Sequence, residues 1–462
     1  MKVLFVSSSY SNFYAIDDIV RRLCQRGHDV SLILGMEEKE TISDDALRHI
    51  QRDIPGLIVE PLRTRKVFWK LARLLREILN YAHVLNNEEM RKWDVAKWFR
   101  FFPPFLWKIV STPTGRKLLR KPQVQKFLRS LEQKIPVDGA IRKHIQKHVP
   151  DIMVVMPLIN PASKETEYLK AAKSLHIPVL YSMVSWDNIS SKGTFHGRPD
   201  YNVVWNESLA SELSNMHGIP REHIYITGAP RFDHLLDRSD ELLLPRAEFL
   251  QMAGMDDKEE YILYVGSTFL VTNDHKKNAD ESVLIKEIAN ALAKDPRTKD
   301  VNLVLRPHPT NSTFLEKIRA EARTNIIVFP RNGEIPDTEE KRSRFHNSIF
   351  HSVAVVGVNT TAFLEASALD KPCITIQTQT SVETQLLLHF HHLADAGFLE
   401  TAHSANELVD VVSRLQSGVD ARREQRREFV RNFLRPKDKP AVEAYVELLE
   451  ELGTHSTDGK RR

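Results

Sequence analysis

Cysteine is nearly absent from this chain: Cys24 and Cys373 are the two in 462 residues. So few, so far apart, exclude a disulfide-stapled scaffold and fit a reducing compartment. No run reaches 18 apolar residues, the length a membrane-spanning helix needs. After Met1-Lys2 the apolar Val3–Val6 gives way at once to Ser7-Ser8-Ser9, which is not a secretory leader. The expected location is therefore the cytoplasm. Glycine is missing where a dinucleotide would need it. The first strand–helix turn, Ser7-Ser8-Ser9-Tyr10-Ser11-Asn12-Phe13, has none of the glycines of G-x-G-x-x-G. There is no G-x-x-x-x-G-K-[ST] either, so NAD and ATP are disfavoured in the N-terminal half. The hydroxyls of that turn suit a polyol acceptor as well as they suit a plain polar loop. No Asp-x-Asp occurs, so a metal-independent reaction is expected.

What is present is globular: 42% hydrophobic and 27% charged residues, which excludes collagen-like and disordered classes. At about 100–200 residues per domain the length implies two or three domains. Charge is segregated. Residues 61–148 hold 21 Lys and Arg against 6 Asp and Glu, a local +15 in a chain of net +4, so the remainder is −11. The same stretch holds four of the six tryptophans, Trp69, Trp93, Trp98 and Trp107. Cations around interfacial aromatics suit an anionic membrane surface, at roughly 1 kcal/mol per cation. Trp69, Trp98 and Trp107 are the expected membrane contacts. The competing readings are a helical insertion whose aromatics pack inward, and nucleic acid. The last is disfavoured because no nucleic-acid-binding fingerprint is present.

Short apolar runs bounded by Pro or Gly read as strands buried on both faces. Val3–Val6, helix Ile16–Arg26 and Val30–Leu34 make a βαβ unit, which demands a parallel sheet. Ile58-Val59 is a possible third strand. The basic segment then interrupts as helices broken at Pro103-Pro104, Pro113 and Pro122. Strands resume at Ile152–Met156, Val179–Met183, Tyr201–Trp205 and Ile224–Thr227. A second alternation runs through Tyr261–Val265, Val301–Leu305, Ile326–Phe329, Val353–Val356 and Cys373–Ile376. The expected architecture is α/β: two Rossmann-like, doubly wound domains facing a cleft. Residues 1–232 form the acceptor domain with 61–148 as its basic insertion, 233–260 the linker and 261–420 the nucleotide-donor domain. A C-terminal helix follows at 421–452, then a disordered tail at 453–462.

Two loops of the second half carry phosphate chemistry. Arg306-Pro307-His308-Pro309 follows an apolar strand directly, and the carboxyl ends of parallel strands are where open α/β sheets bind ligands. Arginine offers bidentate donors to a diphosphate. The second loop, Val358-Asn359-Thr360-Thr361, runs from a strand into a helix whose N–H groups can face an anion, although small hydroxyl residues also simply cap helices. Glu365, one turn on, is placed to accept from ribose hydroxyls. The two loops are expected on adjacent strands.

With these motifs and the two-domain pattern, the sequence resembles the GT-B superfold. Within it, it resembles surface-polysaccharide and teichoic-acid glycerophosphate transferases, polysialyltransferases and the UDP-N-acetylglucosamine 2-epimerase. Gly27-His28, closing the first helix before a strand, is similar to this superfold too. The resemblance implies that Arg306, His308, Asn359, Thr360 and Thr361 hold the donor's phosphates and Glu365 its ribose. The chain carries Val358-Asn359-Thr360-Thr361 where the teichoic-acid pattern has an Asp-Tyr-Ser-Ser run, and it lacks the epimerase's Gly pair.

Inverting transfer needs a base for the acceptor's proton. Asp187 and His196, in the loop after Val179–Met183, are the candidates, and His308 joins them as a catalytic group at the donor. Asp187 reads equally as a turn-forming residue. Trp186, Asn188 and Lys192 of that loop, and Thr378 and Thr380 after the last core strand, form a second tier; Lys192 can meet a donor phosphate or an acceptor carboxylate. His389-Phe390-His391-His392 lacks a carboxylate or Cys at ligand spacing, so no metal site is expected.

The function expected is a GT-B glycosyltransferase. It would move a sugar or polyol phosphate from a nucleotide-activated donor to a glycan or lipid-linked acceptor at the inner membrane face, with no cofactor beyond the donor. The alternatives are a non-hydrolysing sugar-nucleotide 2-epimerase and a non-catalytic scaffold bound to membrane or RNA.

Overall fold

A computed structural model describes residues 1–35, 52, 54, 56–88, 90–91, 96–237, 243–267, 281–308, 313–319, 325–336, 338–377, 385 and 388–459. The chain forms two units, Met1–Arg231 with Phe433–Arg462, and Phe232–Asn432.

The first unit is built on seven parallel strands: β1 (Lys2–Ser7), β2 (Asp29–Leu34), β3 (Ile58–Pro61), β4 (Ile152–Val155), β5 (Val179–Ser182), β6 (Tyr201–Val204) and β7 (Ile224–Ile226). Their order is β3-β2-β1-β4-β5-β6-β7, with Phe5 paired to Leu32 on one side and Val154 on the other. Strands covered on both faces must be apolar throughout, and β4 and β5 are buried at every position. Helix α1 (Asp17–Gln25) lays Ile19, Val20 and Leu23 on this sheet. It ends at Gly27, whose φ of +80° only glycine adopts without strain.

The basic insertion is helical: α2 (Trp69–Asn86), α3 (Pro104–Val110), α4 (Pro113–Leu119), α5 (Pro122–Gln133) and α6 (Gly139–His148). Pro104, Pro113 and Pro122 each open a helix, where the missing N–H costs nothing. The expectation that the tryptophans face a membrane is not met by Trp98. It is fully buried with Tyr81, Phe102, Val110 and Leu119. Trp107 is half-buried, with its ring 5.4 Å from Tyr81 and 5.8 Å from Phe102, and Trp69 is also half-buried. Large aromatics gain most by leaving water, and within the insertion α2 to α5 supply the cover. Part of the positive charge is buried as well. Arg65 and Arg76 pair with Glu167 at 2.9 and 2.7 Å, and Arg76 pairs with Glu132 at 2.6 Å. The two pairs with Glu167 tie the insertion to α7 (Glu165–Ser174). Two further helices, α8 (Asn188–Ser191) and α9 (Glu207–His217), follow β5 and β6.

The second unit has six strands, β8 (Glu260–Val265), β9 (Val301–Arg306), β10 (Ile326–Val328), β11 (Val355–Gly357), β12 (Cys373–Ile376) and β13 (Leu399–Ala402), in the order β10-β9-β8-β11-β12-β13. Its core joins Tyr264, Leu303, Val356 and Ile374 to Ile288 on α10 (Glu281–Lys294). Two more helices, α11 (Glu339–Phe350) and α12 (Ala362–Ala368), bear on the site below.

The division differs from the expected one at two places. Residues 233–260, expected as a linker, include helices Asp233–Leu236 and Arg246–Ala253 and belong to the second unit. There Leu244 N donates to Asn347 Oδ1 at 2.8 Å and Arg246 to the His351 carbonyl at 2.7 Å. The C-terminal helix, Ala441–Gly459, belongs to the first unit and runs past the expected start of a frayed tail. Val442, Tyr445, Val446 and Leu449 bury one stripe of it in the first core, and Arg26 pairs with Glu443 and Glu450 at 2.5 and 2.8 Å.

Candidate functional site

In the second sheet the strand order reverses between β8 and β11, and open α/β sheets bind ligands outside the carboxyl ends at such a switch point. The two loops expected on adjacent strands instead flank β8, since β9 and β11 lie on either side of it. Gly266 N donates to the Arg306 carbonyl at 2.9 Å. A Cβ on Gly357 would lie 2.9 Å from Thr360 Cγ2 and 3.3 Å from the Val265 carbonyl, so a side chain here would push on both the Thr360 methyl and the end of β8.

Arg306 closes β9 and is 5% exposed. Its guanidinium lies 4.5 Å from the Phe345 ring centroid, a favourable cation–π geometry. Its Nη2 lies 3.7 Å from the Glu334 carboxylate and 3.5 Å from the Glu334 carbonyl, while Nη1 has no partner. Burial pulls its pKa down to about 10, with the nearby Glu334 charge working against that, and it stays cationic at neutral pH. Glu334 is meanwhile engaged by Arg344 at 3.0 and 3.2 Å, so two cations share one carboxylate. A buried guanidinium with an idle nitrogen is costly unless an anion completes it. His308, two residues on, is held below its ordinary pKa by burial. Pro309 lies outside the described residues.

At the end of β11, Thr360 Oγ1 accepts from Ala362 N at 3.2 Å and so caps α12. Thr361 is exposed and its side chain makes no cap, and Asn359 is half-buried. Glu365 is buried one turn into the helix. Thr378 and Thr380 lie outside the described residues. The sequence reading missed four residues that build this end of the sheet. Glu334 and Phe345 hold Arg306. Gln385 Nε2 donates to Val358 O at 3.0 Å, Ile376 O at 2.9 Å and Thr375 Oγ1 at 2.8 Å, joining the ends of β11 and β12. Glu281 accepts from Ser267 N at 3.1 Å and from the Tyr264 hydroxyl at 3.1 Å, fixing the end of β8.

In the first unit the hydroxyl-rich turn after β1 is used internally. Ser7 Oγ donates to Ser9 O at 2.9 Å, and Ser8 N donates to the buried Glu165 at 2.5 Å. In the loop after β5, Trp186 is buried, and Asn188 Oδ1 accepts from Ser185 N at 3.0 Å as a turn former. Asp187 is half-buried. It accepts from Ser185 Oγ at 2.6 Å and pairs with Lys192 at 2.9 Å, so Lys192 meets this carboxylate. His196 does not join that group. It is 8% exposed, lines a cavity whose lining does not include Asp187, and has no hydrogen-bond partner on either ring nitrogen.

Among the described residues one group offers ligands that a metal could take: Glu60 with His144 and His148, one turn apart on α6, their ligand atoms within 4.8 Å of one another. Lys147 pairs with one Glu60 oxygen and His144 Nε2 hydrogen-bonds the other at 2.8 Å, and the Lys147 bond first, then His144, holds the Glu60 carboxyl at about 2. The histidines of helix Leu388–Ala394 belong to no such group among the described residues.

Residues 187–451, more than half of the chain, match the family model described as CDP-glycerol:poly(glycerophosphate) glycerophosphotransferase. Among curated proteins no sequence matches. Solved structures of similar fold include the Neisseria meningitidis UDP-GlcNAc 2-epimerase bound to UDP-GlcNAc, at 13% identity and TM-score 0.53, covering 98% of this chain and 100% of that one. A glycosyltransferase from Rickettsia africae aligns at 12% identity and TM-score 0.54 over 98% of each chain. The calicheamicin glycosyltransferase aligns at 13% identity and TM-score 0.50, also over 98% of each. At such identities the likeness is one of fold: two Rossmann-like domains of the GT-B type.

Proposed function

The chain belongs to the CDP-glycerol:poly(glycerophosphate) glycerophosphotransferase family, and from that premise we propose that it transfers a polyol phosphate from a cytidine diphosphate donor to a hydroxyl of a glycan or lipid-linked acceptor. The observation that carries this is Arg306, a buried cation at the carboxyl end of β9 with Nη1 unpartnered. It is a donor waiting for a phosphate oxygen. Asn359, Thr360 and Thr361 supply polar groups at the neighbouring switch point, His308 lies beside the phosphates, and Glu365 takes the ribose.

In the reaction the acceptor oxygen attacks the phosphorus that carries the polyol. The new P–O bond forms as the anhydride bond breaks, and cytidine monophosphate leaves with the electron pair. Arg306 stabilises the charge that grows on the leaving phosphate, the kind of preorganised electrostatics that dominates such steps. Asp187 accepts the acceptor's proton. Lys192, paired with it at 2.9 Å, orients the carboxylate. No Asp-x-Asp is present, and the step as written uses no metal.

The basic insertion is the membrane-facing part in this reading, through other residues than the tryptophans. Phe105, Ile109, Leu118 and Phe127 are 50–67% exposed. Phe105 and Ile109 lie one turn apart on α3. Apolar side chains among cations form an interfacial anchor, and no described helix is long and apolar enough to cross a membrane. Replacing both Phe105 and Ile109 by Ser is expected to weaken binding to phosphatidylglycerol vesicles about tenfold, taking partial loss of roughly 1.5–3 kcal/mol per side chain. Sedimentation with vesicles measures this.

The transfer itself is tested by supplying CDP-glycerol or UDP-sugars with membrane acceptor and identifying the nucleotide released. Cytidine monophosphate supports polyol-phosphate transfer, and a released nucleoside diphosphate supports sugar transfer. UDP-GlcNAc turned over with no nucleotide released would make the chain an epimerase.

A further inference from the structure

One polar cavity of the first unit has no part in the chemistry above. A cavity of about 260 Å3 is enclosed by α2, α5, α9 and the segment after α8, and its polar lining includes Arg129, Glu132, Thr194, His196, Arg198 and His217. It is smaller than the roughly 300–1,000 Å3 of sites for whole drug-sized ligands, so it suits one small group.

Its charge is unbalanced. Glu132, the carboxylate of the lining, is already taken by Arg76 at 2.6 Å and Lys170 at 3.2 Å. Arg129 donates to the Phe195 carbonyl at 3.2 Å. Among the described residues neither Arg129 nor Arg198 has a carboxylate partner. Burial first, and then the like charge of Arg198, hold Arg129 below its usual range. The strongest sign is His196. Its ring is more than nine-tenths buried, and neither Nδ1 nor Nε2 has a partner. Burial, with Arg76 and Arg129 behind it, pushes that ring well below its ordinary pKa, so it is neutral: one N–H to give and one lone pair to fill. His217, also in the lining, hydrogen-bonds the Ile189 carbonyl through Nε2 at 3.0 Å, while its Nδ1 has no partner.

Arg129 and the exposed Arg198, neither with a carboxylate partner among the described residues, can meet an anion, and the buried neutral imidazole asks for an acceptor on one side and a donor on the other. A phosphoester with a neighbouring hydroxyl meets all three. We propose that this cavity is a subsite for the anionic acceptor, binding one polyol-phosphate unit through Arg129 and Arg198 with His196 reading an adjacent hydroxyl. The identity of the ligand rests on the transferase reading; the site itself rests on the unpartnered, buried His196 beside two arginines that no carboxylate among the described residues balances. His217, which lines the cavity, bonds the backbone of α8, the helix opened by Asp187, so an occupied cavity places the acceptor chain beside the loop that carries the candidate base.

The test uses the full chain and three probes: sn-glycerol 3-phosphate, inorganic phosphate and glycerol, each followed by calorimetric titration and by melting temperature. Glycerol phosphate is expected to bind more tightly than inorganic phosphate, and glycerol not to bind. Arg198→Ala, at an exposed position that the fold tolerates, is expected to weaken glycerol phosphate at least tenfold, and His196→Gln to erase its advantage over inorganic phosphate. Arg306→Ala is expected to leave both phosphates unaffected while weakening CDP. Binding retained in Arg198→Ala but lost in Arg306→Ala would place the phosphate at the donor site and overturn the proposal. Equal binding of both phosphates would overturn the acceptor assignment, and no binding of either would leave the cavity to water and overturn it wholly. Glycerol phosphate binding as described, in a chain that binds no nucleotide, would uphold the cavity and remove the donor reading instead.

Discussion

Both sheets reverse their strand order once, β1 against β4 in the first unit and β8 against β11 in the second, and the two reversal points are filled differently. In the first, the chain closes on itself. A Cβ on Gly35 would lie 2.0 Å from the Ser8 carbonyl, and Glu165 satisfies Ser8 N and Ser163 Oγ at 2.5 and 2.9 Å. Desolvation raises the Glu165 pKa, and its hydrogen bonds stay inside the fold. In the second, glycine at 266 and 357 leaves backbone without side chains, and Arg306 brings a buried charge whose partners the chain supplies only in part. Topology alone therefore does not set the two apart: the second switch point holds a buried cation short of partners, and the first unit has its unpartnered group in His196, away from its switch point.

The largest effect should follow from Arg306→Ala. Loss of a preorganised donor at developing charge is expected to lower turnover about 10³-fold, with little change in melting temperature because Glu334 keeps Arg344. Steady-state kinetics and a melting curve on the same preparation check both halves. Asp187→Asn is expected to lower kcat about 10²-fold, the low end for general-base loss, with nucleotide affinity unchanged. Equal activity would make Asp187 a turn former. Glu165→Ala inverts the comparison: it should leave nucleotide affinity intact and cost about 1–3 kcal/mol of stability, the penalty for stranding Ser8 N, read as a lower urea midpoint.

The smallest effect is one of pH. His83 and His217 stack at 4.9 Å between ring centroids, and burial holds them near 3 and 4 against an ordinary 6.5. Between those limits the unfolded chain binds more protons than the fold, so stability falls as pH drops from 6.5 toward 4 and is complete above 6.5. Urea midpoints measured across that range should decline. His217→Asn should flatten the decline.

Much of the second site could be read from local sequence. Arg306 ends an apolar run, and a charge in that position has to stand at a strand's carboxyl end. The three prolines marked helix starts by the same local logic. Glu334 and Phe345 were invisible because they reach Arg306 from 28 and 39 residues downstream, and no spacing rule links a strand end to a later helix. The place of β8 between β9 and β11 was hidden for a related reason, since strand order is a long-range property. Trp98 misled because a basic, aromatic run reads the same whether its rings face lipid or one another; only the packing of α2 to α5 decides it. The C-terminal helix has a legible apolar stripe, but nothing local says it packs against the first unit.

The central claim is that Arg306 holds the phosphates of a nucleotide donor, and calorimetric titration of CDP into the full chain and into Arg306→Ala tests it most directly. The account predicts binding by the natural chain and at least a tenfold loss in the variant, about 1.4 kcal/mol, at unchanged melting temperature. Equal affinity in the two proteins would contradict it.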